Sequence, residues 1–397
     1  MKLTGKILST IFFCIMATGF FSCKASDENP YNLPVITITS EKLPEEENNN
    51  DFITKPVSEA VKKAKLTWGE VDNSPDPYYK ECTISVLNAN STKLIDQAKA
   101  EVKVRGNWTT NYPKKGLRIK FDKNHKQNIL GLNDGEKFRN WVLLASYKDW
   151  SFSRDITGHT LGKLISPDYY STDSTLVELY ANDEYLGVYV LAEQQEVNKN
   201  RISITEAEDN PSENTGYLIE YDSYYTDEDE NCVFEIDHEK HGQILDINSN
   251  PITKYNKGYT IKNDLNNVNQ KDFIADYMNN LWELCYKAAY YNEFYEFDDS
   301  YNLVLAQDVT KAKECIEKYV DLQSLVDTYI LHEIVCDPDI YLTSFYMDID
   351  LNKDNPKKLT FEAPWDFDST MGNKRHCADA QGFFANTIGW DVNYMEH

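Results

Sequence analysis

Residues Val102 to Phe121 read VKVRGNWTTNYPKKGLRIKF: a strand-like run, a turn rich in Gly, Asn and Pro, and a second strand-like run that carries cations. Leu117, Ile119 and Phe121 recur at every second position, the period of a strand with one face in a core, and Arg118 and Lys120 share the opposite face. Arg105 stands at the mouth of the connecting loop, with Lys114 and Lys115 across it. A hairpin with cations on one face and a flexible tip can close over phosphates through charge-assisted hydrogen bonds. The same pattern also describes a solvated strand face, and the hairpin alone leaves both open.

Working outward, the first half is rich in strand signals. Cys82 to Leu87, Ala98 to Arg105, Gly116 to Phe121, Trp141 to Ala145, Leu176 to Ala181, Leu186 to Ala192 and Gly216 to Tyr221 alternate or form short apolar runs between turn residues, and Asn182-Asp183-Glu184-Tyr185 is a hairpin signal. One helical segment, Ser151 to Ile165, interrupts them, and the acidic stretch Asp222 to Asp237 reads as a solvated excursion. The second half changes period. Gln270 to Phe294 and Asp321 to Val335 show i, i+3, i+4 apolar spacing, followed by strand-like Phe345 to Met347 and Leu359 to Glu362. The expected architecture is α+β, a β-rich lobe over about residues 63–222 and a helical lobe over about 258–397 with a cleft between them.

The N-terminus carries an address. Lys2 and Lys6 precede an apolar run from Ile7 to Phe21 that ends at Ser22-Cys23, the order of a secretory signal, and the run is too short and too interrupted for a permanent span. Gly19-Phe20-Phe21-Ser22-Cys23 matches a loose lipoprotein box, so residues 1–22 are expected to be removed and Cys23 to carry a lipid anchor. Residues 23–62 read as a tether and linker holding one short strand near Leu33 to Ile38, ahead of a domain over 63–397. The formal charge of −25 and the lack of a basic stripe argue against nucleic acid as a partner. The cysteines beyond Cys23 form no CxxC pair and no zinc spacing; outside the cytoplasm they are free to form disulfides, which sequence does not pair.

Two carboxylate clusters break their local apolar pattern. Asp337 and Asp339 flank Pro338 just after a helix, and Asp366 and Asp368 alternate with Trp365 and Phe367, which in an extended chain places both acids on one face. Clustered carboxylates suit Mg²⁺, Mn²⁺ or Ca²⁺, and exposed turn acids in an acidic chain look the same in sequence. A phosphate clamp, a β-rich half, a turn Asp and a later metal-type Asp, in that order, are the parts of a kinase-like phosphotransferase.

At this point the chain resembles the spore coat protein H (CotH) kinase family, an atypical protein-kinase-like group. The resemblance rests on Val104-Arg105-Gly106-Asn107-Trp108 with Pro113-Lys114-Lys115, on Asn140 to Ala145 running into Ser153-Arg154-Asp155, on Val177 to Gln194, Gly216 to Asp222 and Gly258 to Lys262, and on Pro364 to Gly372. It implies a two-lobed kinase-like fold and transfer of the ATP γ-phosphoryl group, with Mg²⁺ or Mn²⁺, to Ser/Thr hydroxyls of a protein at the cell surface. By the same resemblance Asp339 would orient or deprotonate the acceptor hydroxyl, Asp366 and Ser344 would hold the metal, and Arg105, Lys115, Arg118 and Lys120 would contact phosphates, with Glu193 a cleft residue. Relatives continue into further helices where this chain stops at His397, which sets the expectation of a truncated helical lobe. Two other readings stand beside it: a non-catalytic surface module holding a divalent cation, and a carbohydrate-active enzyme using paired acids. A kinase tethered beyond the membrane needs nucleotide supplied there, which keeps the non-catalytic reading in play.

Overall fold

The computed structural model describes residues 32–41, 50–54, 79–243, 251, 256–340, 342–374 and 377–378. The expected export signal, Cys23 and residues 379–397, where the expectation of a truncated helical lobe falls, lie outside the described residues. The first half forms β1 (Val35–Thr39), α1 (Asp51–Thr54), β2 (Lys80–Leu87), β3 (Lys93–Arg105), β4 (Gly116–Phe121), β5 (Asn140–Leu144), α2 (Arg154–Ile165), β6 (Ser174–Ala181) and β7 (Glu184–Glu193). Its seven strands close into a barrel in the order β1-β2-β3-β4-β5-β7-β6, antiparallel throughout except where β1 lies parallel to β6. The alternation read in β4 holds: Leu117, Ile119 and Phe121 point into the barrel with Ile36, Ile84, Val102 and Trp141, all essentially unexposed. Burying each such side chain stabilises the fold by roughly 1.5–3 kcal/mol. Asn182 and Asp183, both at positive φ (47° and 68°), make the tight β6–β7 turn.

The strand near residue 35 is therefore not part of a tether. It is a stave of the barrel, with Ile36 and Ile38 in the core, and without it the free edges of β2 and β6 would stay unpaired.

The second half corrects the expectation of a helical lobe. Strands β8 (Gly216–Tyr221), β9 (Val233–Glu235), β10 (Gly258–Ile261), β13 (Phe345–Asp350) and β14 (Lys357–Thr360) form an antiparallel sheet in the order β14-β13-β8-β10-β9. Between β10 and β13 run α3 (Val268–Tyr291), the hairpin β11 (Tyr295–Phe297) and β12 (Leu303–Leu305), α4 (Ala312–Ile316) and α5 (Leu322–Ile334). The i, i+3, i+4 stripe of α3, Ile274, Tyr277, Met278 and Leu281, covers one face of the sheet against Tyr217, Ile219 and Tyr259. Every residue of β8 is buried, as expected for a central strand covered on both faces. The supposed solvated excursion contributes β9, with Phe234 and Ile236 in the core, because the hydrogen-bonding edge of β10 needs a partner. The architecture is α+β, a closed barrel joined to a helix-covered sheet.

Candidate active site

A cavity of about 830 Å³ lies where the β3–β4 loop, the β5–α2 connection, the end of β8 and the segments after α5 and β14 meet. Two tight local structures bring acids to it. Asp321 caps α5 by accepting from the N–H groups of Gln323 and Ser324, both at 3.1 Å. After the helix, Asp337 is buried, pairs with His332 Nδ1 at 2.7 Å and accepts the N–H of Asp339 at 2.9 Å. The two acids read as one cluster thus divide the work: Asp337 braces the turn, and Asp339 faces the cavity.

Asp366 and Asp368 reach the same cavity by a route other than the extended alternation expected for them. Asp366 has left-handed backbone (φ 67°, ψ 51°), and Phe367–Ser369 form a single 3₁₀ turn. The aromatics between them part company. Trp365 packs on Val142 and Ala192 of the barrel's outer face, while Phe367 enters a core with Leu331 and Val335. Helix α2 holds this turn in place. Asp155 Oδ1 accepts the N–H of Phe367 at 3.0 Å, and Arg154 Nε donates to the carbonyl of Thr370 at 3.0 Å. Only glycine fits at 158, since a Cβ there would lie 2.2 Å from the Phe367 ring. Ser344, also left-handed (φ 62°), puts its Oγ 3.4 Å from Asp366 Oδ2. Two non-glycine residues in that backbone region, in contact with each other at the wall of the cavity, mark a constrained site.

The cations of the cavity fall into two groups. Lys148 bonds Asp368 (2.9 Å) and Ser369 Oγ (2.8 Å), Lys262 pairs with Glu220 at 3.0 Å, and Lys374 pairs with Asp339. Burial works against the charge of Lys148 and Lys262, but the surrounding carboxylates outweigh it and both are held above the usual lysine range. Arg105 and Lys114 have no carboxylate within 4 Å among the described residues. Arg105 stacks 5.7 Å over Trp365; Lys114 lies 4.1 Å over the Tyr189 ring and donates to the Val188 carbonyl. Burial pushes Lys114 down to about 8. These two are the cations left to meet an anion.

Of the site residues expected from sequence, Arg105, Asp339, Ser344 and Asp366 come together here. Lys115, Arg118, Lys120 and Glu193 do not line the cavity. Lys115 turns away from its neighbour Lys114 and ties the loop by donating to the carbonyls of Thr110 (2.7 Å) and Tyr112 (2.6 Å). Arg118 and Lys120 share the outer face of β4, as read, but meet Asn140 (3.2 Å) and Glu101 (3.8 Å) on the side of the barrel. Glu193 is fully buried in an ion pair with Arg201 at 3.0 Å. Lys148, Lys262, Glu220 and Asp155 were missed as cavity residues. For Lys262 a signal existed: a lysine closing the short apolar strand Gly258 to Ile261.

The model of a family described as CotH kinase protein matches residues 102–394, most of the chain and every cavity segment. The chain belongs to the CotH kinase family. No curated protein matches it. In this CotH-family chain the matched span begins in β3 and takes in both acids of the Asp366 turn, whereas β1 and β2, which close the barrel, precede it.

Among the described residues no three His, Cys, Asp or Glu side chains converge as a ready-made cation cage. A Mg²⁺-type ion does not require one, because it keeps several waters and binds through one or two carboxylates plus phosphate oxygens. The donors present fit that mode: Asp366 and the Ser344 hydroxyl, 3.4 Å apart.

The crowding of acids predicts a pH effect. Burial first, then the charge of Asp366, lifts Asp368 to about 6 despite Lys148, and burial also raises Asp155. The folded state then holds the Asp368 proton better than the unfolded chain does, so this group's stabilisation is full below about pH 4 and is lost as pH rises through about 6. In urea denaturation at pH 4.5 and pH 7, Asp368→Asn is expected to gain on the wild type at pH 7 by about 1–3 kcal/mol. Parallel wild-type and variant curves across that range would refute the assignment.

Proposed function

We propose that this protein is an atypical Ser/Thr kinase, exported and held at the membrane by a lipid on Cys23, that transfers the γ-phosphoryl group of ATP to a hydroxyl of a surface protein. The observation that carries the reading is the convergence, in one cavity, of two cations with no carboxylate partner among the described residues, Arg105 and Lys114, with Asp339, Ser344 and Asp366 from distant parts of the chain. On this reading the two sheets act as the two lobes of a kinase-like fold with the nucleotide between them.

Arg105 and Lys114 would receive phosphate oxygens; a guanidinium supplies a planar fork and an ammonium a point charge. Asp339 would orient the acceptor hydroxyl and accept its proton, with Lys374 holding the carboxylate in place. Asp366 and Ser344 would hold a Mg²⁺ or Mn²⁺ ion, which when bound neutralises charge on the transferred group. Lys148 compensates Asp368, so the acids can sit together before any cation arrives. Phosphoryl transfer needs little beyond such positioning and charge compensation.

The test is calorimetry of the purified chain with Mg·ATP and with the divalent cation alone, alongside labelling by γ-³²P ATP. Nucleotide binding with label transfer to Ser or Thr supports the reading. Binding of the cation alone, with no heat from nucleotide and no labelling, rejects it in favour of a non-catalytic module.

A further inference from the structure

The excursion between α3 and α4 lies outside both larger sheets. Its hairpin, β11–β12, is held by a small apolar cluster in which Leu284 and Ala288 of α3 meet Cys315 of α4, all at 0 % exposure. Cys285 of α3 packs against this same cluster, so two thiols, one from each of two packed helices, share one apolar site. Cys315 donates its S–H to the carbonyl of Tyr295 in the hairpin at 3.2 Å. Burial pushes the Cys285 thiol up to about 12, and the next contribution is the charge of Cys315, which reaches it. Both are free thiols in this structure. None of these residues lines the cavity.

We propose that Cys285 and Cys315 are partners in an intramolecular disulfide that forms under oxidising conditions and pins the β11–β12 excursion to the long helix. The chemistry needs a disulfide oxidant of the glutathione type, RSSR. The Cys285 thiolate attacks one sulfur of RSSR and releases RS⁻, leaving a mixed disulfide. The Cys315 thiol then loses its proton to solvent, and its thiolate attacks the Cys285 sulfur and expels the second RS⁻. Two protein thiols are oxidised, and RSSR is reduced to two RSH. Burial disfavours both thiolates in the native state, so the bond forms chiefly during folding, before the helices close. It shortens the free excursion of the unfolded chain and so favours the folded state. The proposal stands independently of the kinase reading.

The full chain is refolded in mixed reduced and oxidised glutathione, free thiols are alkylated, and peptides are mapped by mass spectrometry without reduction. A cross-linked Cys285–Cys315 peptide pair is expected, lost on adding dithiothreitol and absent in Cys285→Ser. The oxidised wild type should show a higher urea midpoint than the reduced form, with the difference abolished in Cys285→Ser. If removing a half-buried thiol prevents that variant from folding, Cys315→Ala provides the same comparison. Both cysteines alkylated after refolding, or either joined to a different cysteine, overturns the proposal.

Discussion

Asp366→Asn should reduce autophosphorylation with labelled ATP by about 10²–10³-fold, the usual loss when one charge-stabilising group is removed from a site, with the urea midpoint held or raised. Asparagine is the informative replacement because it tolerates the left-handed backbone of Asp366 (φ 67°), where alanine would add strain. It keeps the shape and the 3.4 Å approach of Ser344 but loses the charge that a cation needs. The fold should not suffer, because Asp155 and Asp368 both crowd Asp366 and its negative charge raises them. Asp339→Asn should lose activity to a similar degree by a different route. It removes the proton acceptor while leaving Arg105, Lys114 and Asp366 in place, so Mg·ATP binding by calorimetry should persist in Asp339→Asn and weaken in Asp366→Asn. Labelling unchanged in both variants would remove the catalytic assignment of this cavity.

The second large effect is on stability. Glu193→Ala should destabilise the protein by about 3–5 kcal/mol, the cost of removing one partner from a buried ion pair. The Arg201 side chain has no exposure and bonds Glu193 (3.0 Å), Glu196 (2.7 Å) and the carbonyls of Asn140 (3.2 Å) and Gln194 (3.1 Å) while lying 3.6 Å over the Phe138 ring. Glu193 in turn accepts from Asn133 Nδ2 at 2.6 Å and from the N–H of Asp173 at 2.8 Å, so one carboxylate joins the end of β7 to three separate loops. Replacing all three charged members, Glu193→Leu and Glu196→Gln with Arg201→Met, should recover most of the loss, because no charge is then left unmatched. Urea midpoints measure this, and activity per folded molecule should be unchanged in the single variant. A normal midpoint with activity lost would return Glu193 to the cleft role suggested by resemblance.

Much of the secondary structure was legible in the sequence, where a period reports a one-sided environment. The alternation in β4 and the apolar stripe of α3 each specify a buried face without reference to a partner. Elements whose character comes from a distant partner were not legible in this way. Strand β1 reads as a lone strand in a linker until Val35 to Ile38 are seen beside Glu178 to Ala181, and β9 reads as solvated acid until it pairs with β10.

The site divides along the same line. The residue types for phosphate and cation chemistry, and the family they resemble, come from sequence alone, and with them Arg105, Asp339, Ser344 and Asp366. The choice between neighbours came from tertiary structure: Lys114 enters the cavity while Lys115 ties a loop, and Asp339 faces it while Asp337 braces a helix end. Lys148 entered only because folding brought it to Asp368, far away in the chain. Sequence records which charges a chain carries, but whether a charge is free for a ligand depends on which opposite charge the fold sets within about 4 Å of it, where the Coulomb energy outweighs the rest.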